Sequence, residues 1–135
     1  FAFQNHVPER DGILAGLFML DLMRTLGQRP SELISTLFTI IGRQSHYHRI
    51  DSDFPAEQKE SIIAQVDSAA PKSVGGLSLV TVDKTDGYKF KLQGGSWLLI
   101  RFSGTEPIIR VYCETDDESR VHPILQDGLR IAGLQ

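Results

Sequence analysis

A decapeptide in the last third of the chain combines the side chains that bind phosphate in proteins. Two arginines, Arg101 and Arg110, enclose Ser103, Gly104 and Thr105 in the run Arg-Phe-Ser-Gly-Thr-Glu-Pro-Ile-Ile-Arg. Arginine offers a planar fork of donors that matches phosphate oxygens in pairs, and hydroxyl groups add further donors. Glycine lets the main chain bend so that successive N–H groups can point at one anion. These residues together predict a phosphate-binding loop.

The decapeptide separates two strand-like runs, residues 97–100 and 108–114. Glu106 is the one negative side chain within it and is placed to hold an arginine in position. The alternative is an ordinary hairpin with surface charges, although the loop is longer than a tight turn requires. Composition alone favours the two interpretations about equally, because short motifs often occur by chance.

Alternating apolar residues after position 76 predict a run of antiparallel strands. Asp86-Gly87 and Gly94-Gly95 have the chemistry of tight hairpin turns and separate the first three of them. In the third strand both alternating positions are apolar until Arg101, which predicts a central strand covered on both faces. The four strands are predicted at residues 77–82, 88–92, 97–102 and 109–115.

The first part of the chain predicts two helices. Residues 11–26 are apolar around most of a helix, and a helix of this kind is normally covered on nearly all sides. A second helix is predicted over residues 32–41, opened by Arg29-Pro30-Ser31 and closed by glycine. We therefore expect residues 1–42 to be the tail of a domain whose sheet lies outside this chain.

Two further helices are predicted around the strands. Residues 43–53 alternate between polar types as a connecting strand, and a helix follows from Pro55 to about residue 69. The spacing from Thr115 to Glu118 is that of a capping box, but Pro123 follows inside the helix that it would begin. Either a short turn precedes a helix from about residue 122, or one helix is bent. The predicted fold class is α+β, a four-stranded antiparallel sheet with helices on one face.

Composition limits the classes of function. The 135 residues carry a net charge of −3, which argues against a nucleic-acid partner, and the apolar helix is too short and too polar to span a bilayer. A single cysteine, Cys113, predicts a reducing, cytoplasmic compartment and is most simply a small buried strand residue. His46 and His48 share a strand face, but two histidines without a third ligand do not predict a metal site.

Two motifs carry a resemblance to a known family. The decapeptide, preceded by Trp-Leu-Leu-Ile, is similar to the phosphate-binding loop in the last domain of the α-D-phosphohexomutases, which include phosphoglucomutase, phosphomannomutase and phosphoglucosamine mutase. The segment His-Val-Pro-Glu-Arg-Asp-Gly at residues 6–12 resembles the one that follows the sugar-recognition loop of their third domain. The resemblance implies that residues 1–42 end the third domain and that residues 43–135 form the last, whose sheet resembles the TATA-binding protein.

The resemblance also implies a function, that of an isomerase which interconverts hexose 1-phosphate and hexose 6-phosphate through a bisphosphate. The catalytic phosphoserine, the Mg²⁺ loop and the sugar loop of the family have no counterpart here, so we expect a fragment that is inactive alone and requires the missing domains. Arg10 takes the place of a basic residue near the reacting phosphate, as an electrostatic stabiliser, and His6 that of a possible sugar contact. The residues implied in binding the non-reacting phosphate are Arg101, Ser103, Gly104, Thr105 and Arg110, with Glu106 as loop organiser.

Two other functions stay open at this point. A sheet resembling the TATA-binding protein would permit a non-catalytic nucleic-acid or interaction module. The pI of about 5.8 and the expected lack of a basic, aromatic-studded sheet face argue against nucleic acid. Alternatively, the apolar helix at residues 11–26 would drive self-association of the chain.

Overall fold

The computed structural model describes residues 3–4 and 6–134. Their contacts divide the chain into two compact units, Phe1–Arg43 and Gln44–Gln135. Within the described residues, no helix combines the length and the apolar character needed to cross a membrane.

The first unit contains two helices, α1 at Gly12–Leu26 and α2 at Pro30–Ile41. The Asp11 carboxylate caps α1 by accepting the Leu14 N–H at 2.8 Å. Each helix ends at a glycine with left-handed backbone angles. The second helix begins two residues before its predicted start because the fixed φ of proline suits the first helical position.

The apolar side chains of α1 and α2 are largely uncovered. Neither helix contains a buried residue, and Ile13 and Ile40 are 81% and 78% exposed. The expectation that α1 is covered on nearly all sides is therefore not met among the described residues. Apolar surface of this extent marks an interaction site when it is contiguous.

The second unit is built on one antiparallel sheet of six strands rather than the predicted four. Of the two additional strands, β1 was predicted as a connecting strand but not as a member of the sheet, and β2 has only two residues, too few to show a period. The strands lie in the order β1-β6-β5-β4-β3-β2. The strands are β1 (His46–Asp53), β2 (Ser73–Val74), β3 (Leu77–Asp83), β4 (Tyr88–Leu92), β5 (Trp97–Phe102) and β6 (Ile108–Thr115), with helices α3 (Lys59–Ser68) and α4 (Val121–Ile131).

One face of the sheet forms the core with α3 and α4, which confirms the α+β class. Alternate residues of the inner strands are buried there against residues of both helices. The opposite face of β5 is different, since Trp97 and Leu99 are half-buried and Arg101 is exposed. The prediction that both faces of β5 are covered was therefore wrong. The main core residues are Phe90, Leu98, Ile100, Ile109, Val111, Ile62, Val66, Ile124 and Leu125.

The last helix is preceded by a short turn, which was the first of the two predicted alternatives. A 3₁₀ turn at Glu118–Arg120 precedes α4, and Pro123 lies in its first turn, where its missing N–H breaks no helical hydrogen bond. The predicted capping box does not form. Asp117 accepts the Ser119 N–H at 3.0 Å, whereas the buried Thr115 hydroxyl pairs with another hydroxyl.

Candidate functional site

The loop between β5 and β6 is a closed turn held by its own main chain. Ser103 N–H donates to the Ile108 carbonyl at 2.9 Å, and Ile108 N–H donates to the Glu106 carbonyl at 2.8 Å. The Glu106 N–H donates to Ser103 Oγ at 3.3 Å. Because Ser103 Oγ accepts this bond, its own proton remains available for donation to a ligand.

Two successive amides of this turn are unpaired in the part of the chain that the structure describes. Within residues 3–4 and 6–134, neither the Gly104 nor the Thr105 N–H donates a hydrogen bond, and both residues are exposed. Successive free N–H groups in a turn form a concavity that attracts anions. The turn therefore presents two main-chain donors beside two hydroxyl groups.

The glycine of this turn is not required by the backbone. Gly104 does not have left-handed backbone angles, and a Cβ atom built there would have no other atom within 4 Å. An alanine would therefore fit the fold. One remaining reason for a glycine at this position is that it lets a ligand approach the main chain closely.

Arg101 and Arg110 are cross-strand neighbours on the sheet face that points away from the core. They are directly paired between β5 and β6, while their sequence neighbours Ile100, Ile109 and Val111 are buried in the core. Like charges directly opposite each other destabilise a sheet. An anion bound between the two guanidinium groups would relieve this repulsion.

Carboxylates already stand beside both arginines. Asp86 Oδ1 lies 3.0 Å from Arg101 Nη2, and Asp51 Oδ2 lies 3.8 Å from Arg110 Nε. The second distance is too long for a hydrogen bond, and Arg110 Nε is buried without a partner among the described residues. Arg110 therefore keeps an unsatisfied donor at the site.

The β3–β4 hairpin brings Asp86 to Arg101. Gly87 has φ of +97°, and a Cβ atom there would lie 2.7 Å from the Ile100 carbonyl and 2.8 Å from Arg101 Cγ. Only glycine allows so close an approach of the turn to β5. Sequence analysis missed Asp86, although the pairing of Tyr88 with Ile100 would have placed the turn beside Arg101.

Replacing Asp86 with asparagine should strengthen the binding of inorganic phosphate by up to about fivefold. The carboxylate competes with an anion for Arg101, and exposed ion pairs of this kind contribute about 0.2–1 kcal/mol. Titration of the chain with phosphate at low ionic strength measures the change. Asp117→Asn is the control, because Asp117 pairs with Arg120 beyond the far end of β6. Weaker binding by Asp86→Asn would mean that Asp86 supports the site and does not compete in it.

The acid predicted to hold an arginine is not the one that does so. No ion pair of Glu106 is present in the part of the chain that the structure describes, and the carboxylates beside the arginines come from Asp86 and Asp51. Glu106 organises the turn through its main-chain groups instead. Asp51 lies on β1, which was not expected to join the sheet next to β6.

A lysine that the sequence did not single out also contacts the turn. Lys59, the first residue of α3, donates from Nζ to the Ser103 carbonyl at 3.1 Å. The two residues are 44 positions apart, and no local pattern links them. Only the tertiary structure could have identified this contact.

The rest of the exposed sheet face carries aromatic rings. The ring centroid of Tyr47 lies 6.4 Å from that of Trp97 and 6.5 Å from that of Tyr112. Lys89 Nζ lies 4.3 Å from the Trp97 centroid. The expected lack of a basic, aromatic-studded face therefore does not hold for its aromatic part, because the three rings come from three strands and are distant in sequence.

The cations of this face are mostly balanced by acids. Arg49 pairs with Asp51 at 2.8 Å, and Lys91 pairs with Asp83 at 3.3 Å. The hydroxyl and amide of Thr85, followed by Lys91, lower the pKa of Asp83 to about 2, so that it stays charged at neutral pH. A face so balanced lacks the basic character typical of nucleic-acid binding.

His6 and Arg10 belong to the first unit. His6 Nε2 lies 2.9 Å from Asp11 Oδ2, and Arg10 is exposed. The Leu14 amide, and after it the His6 ring, lower the pKa of Asp11. Asp11 thus joins the histidine to the start of α1.

The remaining polar candidates are His46, His48 and Cys113. Within the described ranges, no three His, Cys, Asp or Glu side chains are grouped closely enough to hold a metal ion. His46 and His48 lie on β1, one of the two edge strands. Cys113 is fully buried, as predicted, and its burial raises the pKa of the thiol.

Comparison with known proteins agrees with the resemblance to the α-D-phosphohexomutases rather than with a nucleic-acid or interaction module. The family described as "Phosphoglucomutase/phosphomannomutase, C-terminal domain" matches residues 52–130. The chain is 31% identical to a phosphoglucomutase/phosphomannomutase of Thermococcus kodakarensis, over 96% of this chain and 26% of that protein. It is 33% identical to a phosphoglucosamine mutase of Methanocaldococcus jannaschii, over 90% of this chain and 25% of that protein.

The chain spans about a quarter of the length of these curated relatives. The family match covers β2 to β6 together with α3, the β5–β6 turn and most of α4. It thus includes the amides, hydroxyls and arginines described above. The chain belongs to the phosphoglucomutase/phosphomannomutase family and contains its C-terminal domain.

Proposed function

We propose that the β5–β6 turn and its flanking arginines bind the non-reacting phosphate of a hexose phosphate. The turn and the arginines are called the phosphate loop below. Glu106 organises the loop through its main chain. The phosphate ligands of the proposal are Arg101, Ser103, Gly104, Thr105 and Arg110.

The observation that carries the proposal is the cluster of hydrogen-bond donors at one end of β5 and β6. Two successive amides lack a partner among the described residues, and two arginines lie side by side at the same strand ends. Phosphate oxygens accept hydrogen bonds from amides, hydroxyls and guanidinium groups alike. A single phosphate dianion would satisfy these donors and neutralise the two neighbouring cations.

For the whole protein we propose the interconversion of hexose 1-phosphate and hexose 6-phosphate through a bisphosphate intermediate. One phosphate reacts while the other is held, and the holding site accepts it at either end of the sugar. Binding energy from the held phosphate then orients the reacting end. We place the reacting phosphoserine outside these residues, together with the ligands of the Mg²⁺ ion that would stabilise the transferring phosphoryl group. The chain alone would bind substrate without turning it over.

The first unit has a supporting role in the proposal. We assign residues 1–42 to the end of the third domain, so that the exposed apolar side chains of α1 and α2 pack against the rest of that domain. Arg10 would stabilise charge near the reacting phosphate, and His6 would contact the sugar. A junction at residues 42–45 would let the last domain close over the substrate.

Titration of the 135-residue chain with inorganic phosphate or glucose 1-phosphate tests the proposal. We expect millimolar ligand to shift the amide resonances of residues 103–110. Gly104→Ala should weaken binding at least about tenfold, because the added methyl group would keep the phosphate from the main chain, and a lost hydrogen bond to a charged group costs about 1.5–3 kcal/mol. Its free energy of unfolding should stay unchanged, because the added methyl group meets no other atom.

The control for this titration is Gly94→Ala, which replaces a glycine in another turn. Gly94 has φ of +76°, so its substitution strains the backbone but leaves the phosphate loop intact. If no amide of the loop responds to either ligand, the proposed function is wrong. Native affinity in Gly104→Ala would show that the phosphate does not approach the main chain closely at this residue.

A further inference from the structure

The contact of Lys59 with the phosphate loop fixes the orientation of a whole peptide group. Lys59 Nζ donates to the Ser103 carbonyl, and the chain contains no cis peptide bond in its described part. In a trans peptide, the carbonyl of one residue and the N–H of the next lie in one plane and point in opposite directions. The position of the Ser103 oxygen therefore sets the direction of the Gly104 N–H.

Lys59 holds that oxygen towards the start of α3. The Gly104 N–H must then point away from α3, on the exposed side of the turn, where no described residue accepts a hydrogen bond from it. A carbonyl oxygen that faced an anion would repel it, because both carry negative charge. The lysine thus removes an acceptor from the anion side and places a donor there.

The Ser103–Gly104 peptide has little else to hold it. The Ser103 N–H and Oγ are bound by Ile108 and Glu106, but its carbonyl has Lys59 as its one protein donor within the described residues. Gly104 has no side chain to restrict rotation of the plane. Without the lysine, the peptide could turn over and direct its carbonyl at the ligand.

We propose that Lys59 is a positioning residue of the phosphate loop, which fixes the Ser103–Gly104 peptide so that the Gly104 N–H faces the phosphate. The inference rests on the proposed function of the loop. Lys59 is not placed among the ligands, since its ammonium group lies on the carbonyl side of that peptide. It acts on the phosphate through the main chain.

The test compares Lys59→Met, which keeps the aliphatic stem, with Lys59→Arg, which keeps a charged donor. We expect Lys59→Met to raise the dissociation constant for inorganic phosphate about tenfold, the effect of losing one hydrogen bond to the anion. The Gly104 amide resonance should also move in the phosphate-free protein. Lys59→Arg should keep most of the native affinity. Lys72→Met is the matched control and should change neither quantity.

The outcomes separate this inference from the proposed function. If the native chain binds phosphate and Lys59→Met binds it equally well, Lys59 does not position the loop, and the proposed function stands. If phosphate binding weakens while the Gly104 resonance of the free protein stays in place, Lys59 is a direct ligand and the inference is overturned. If the native chain does not bind phosphate, the proposed function itself is wrong. Should Lys59→Met fail to fold, Lys59→Gln replaces it in the same comparison.

Discussion

Replacing Arg101 with lysine should weaken phosphate binding by roughly 10- to 150-fold. The substitution keeps the positive charge but replaces a planar fork of donors with a single flexible ammonium group. Charge-assisted hydrogen bonds of this kind contribute about 1.5–3 kcal/mol each. The dissociation constant for inorganic phosphate, measured by calorimetry at fixed low ionic strength, gives the loss directly.

The control for Arg101→Lys is the same substitution at Arg130, an exposed arginine that pairs with Asp127 on α4. Both variants have the same net charge as the native chain, so a difference between them cannot arise from the overall field. Equal affinity in Arg101→Lys and the native chain would show that Arg101 is not a phosphate ligand. A loss in both variants would point to an unspecific effect.

Replacing Gly75 with alanine should lower the free energy of unfolding of the second unit by about 2–5 kcal/mol. Gly75 has φ of +57°, and a Cβ atom there would lie 2.3 Å from Ile124 Cγ1 on α4. Left-handed angles cost a residue with a side chain about 1–2 kcal/mol, and overpacking adds about 1–3 kcal/mol. Urea unfolding followed by circular dichroism measures the total.

Gly94→Ala separates the two contributions to this loss. Gly94 also has left-handed angles, but a Cβ atom there would meet nothing within 4 Å. We expect it to lose only the backbone part, about 1–2 kcal/mol. If Gly75→Ala and Gly94→Ala lose the same amount, the close packing of the β2–β3 turn on α4 does not limit stability.

Local sequence patterns predicted most elements of the fold but not their neighbours in space. The glycine-containing turns and the alternating residues predicted the strands from β3 to β6, because these signals act over a few residues. The strand β1 was expected only as a connection, since its polar alternation does not reveal a partner. The pairing of β1 with β6 is a contact between residues far apart, which no local pattern encodes.

In the candidate site, too, local sequence predicted some residues and missed others. The arginines, hydroxyls and glycine of the phosphate loop were predicted because they share one short segment. The groups that surround them come from other segments: Asp86 from a hairpin, Asp51 from an edge strand and Lys59 from a helix. Of these three, only the position of Asp86 beside Arg101 could have been inferred, from the pairing register of the hairpin with β5. The lysine required the position of α3 on the core.

The two outer strands of the sheet influence how this chain meets other copies of itself. At one edge β2 offers two residues, and at the other β1 carries the charged Arg49, Asp51 and Asp53. Short or charged edges discourage strand addition from another molecule, which is the first step of β-aggregation. The six-stranded sheet is therefore protected at both ends. The uncovered apolar side chains of α1 and α2 offer a different route to self-association, one that would be sensitive to helix substitutions rather than to changes at the strand edges.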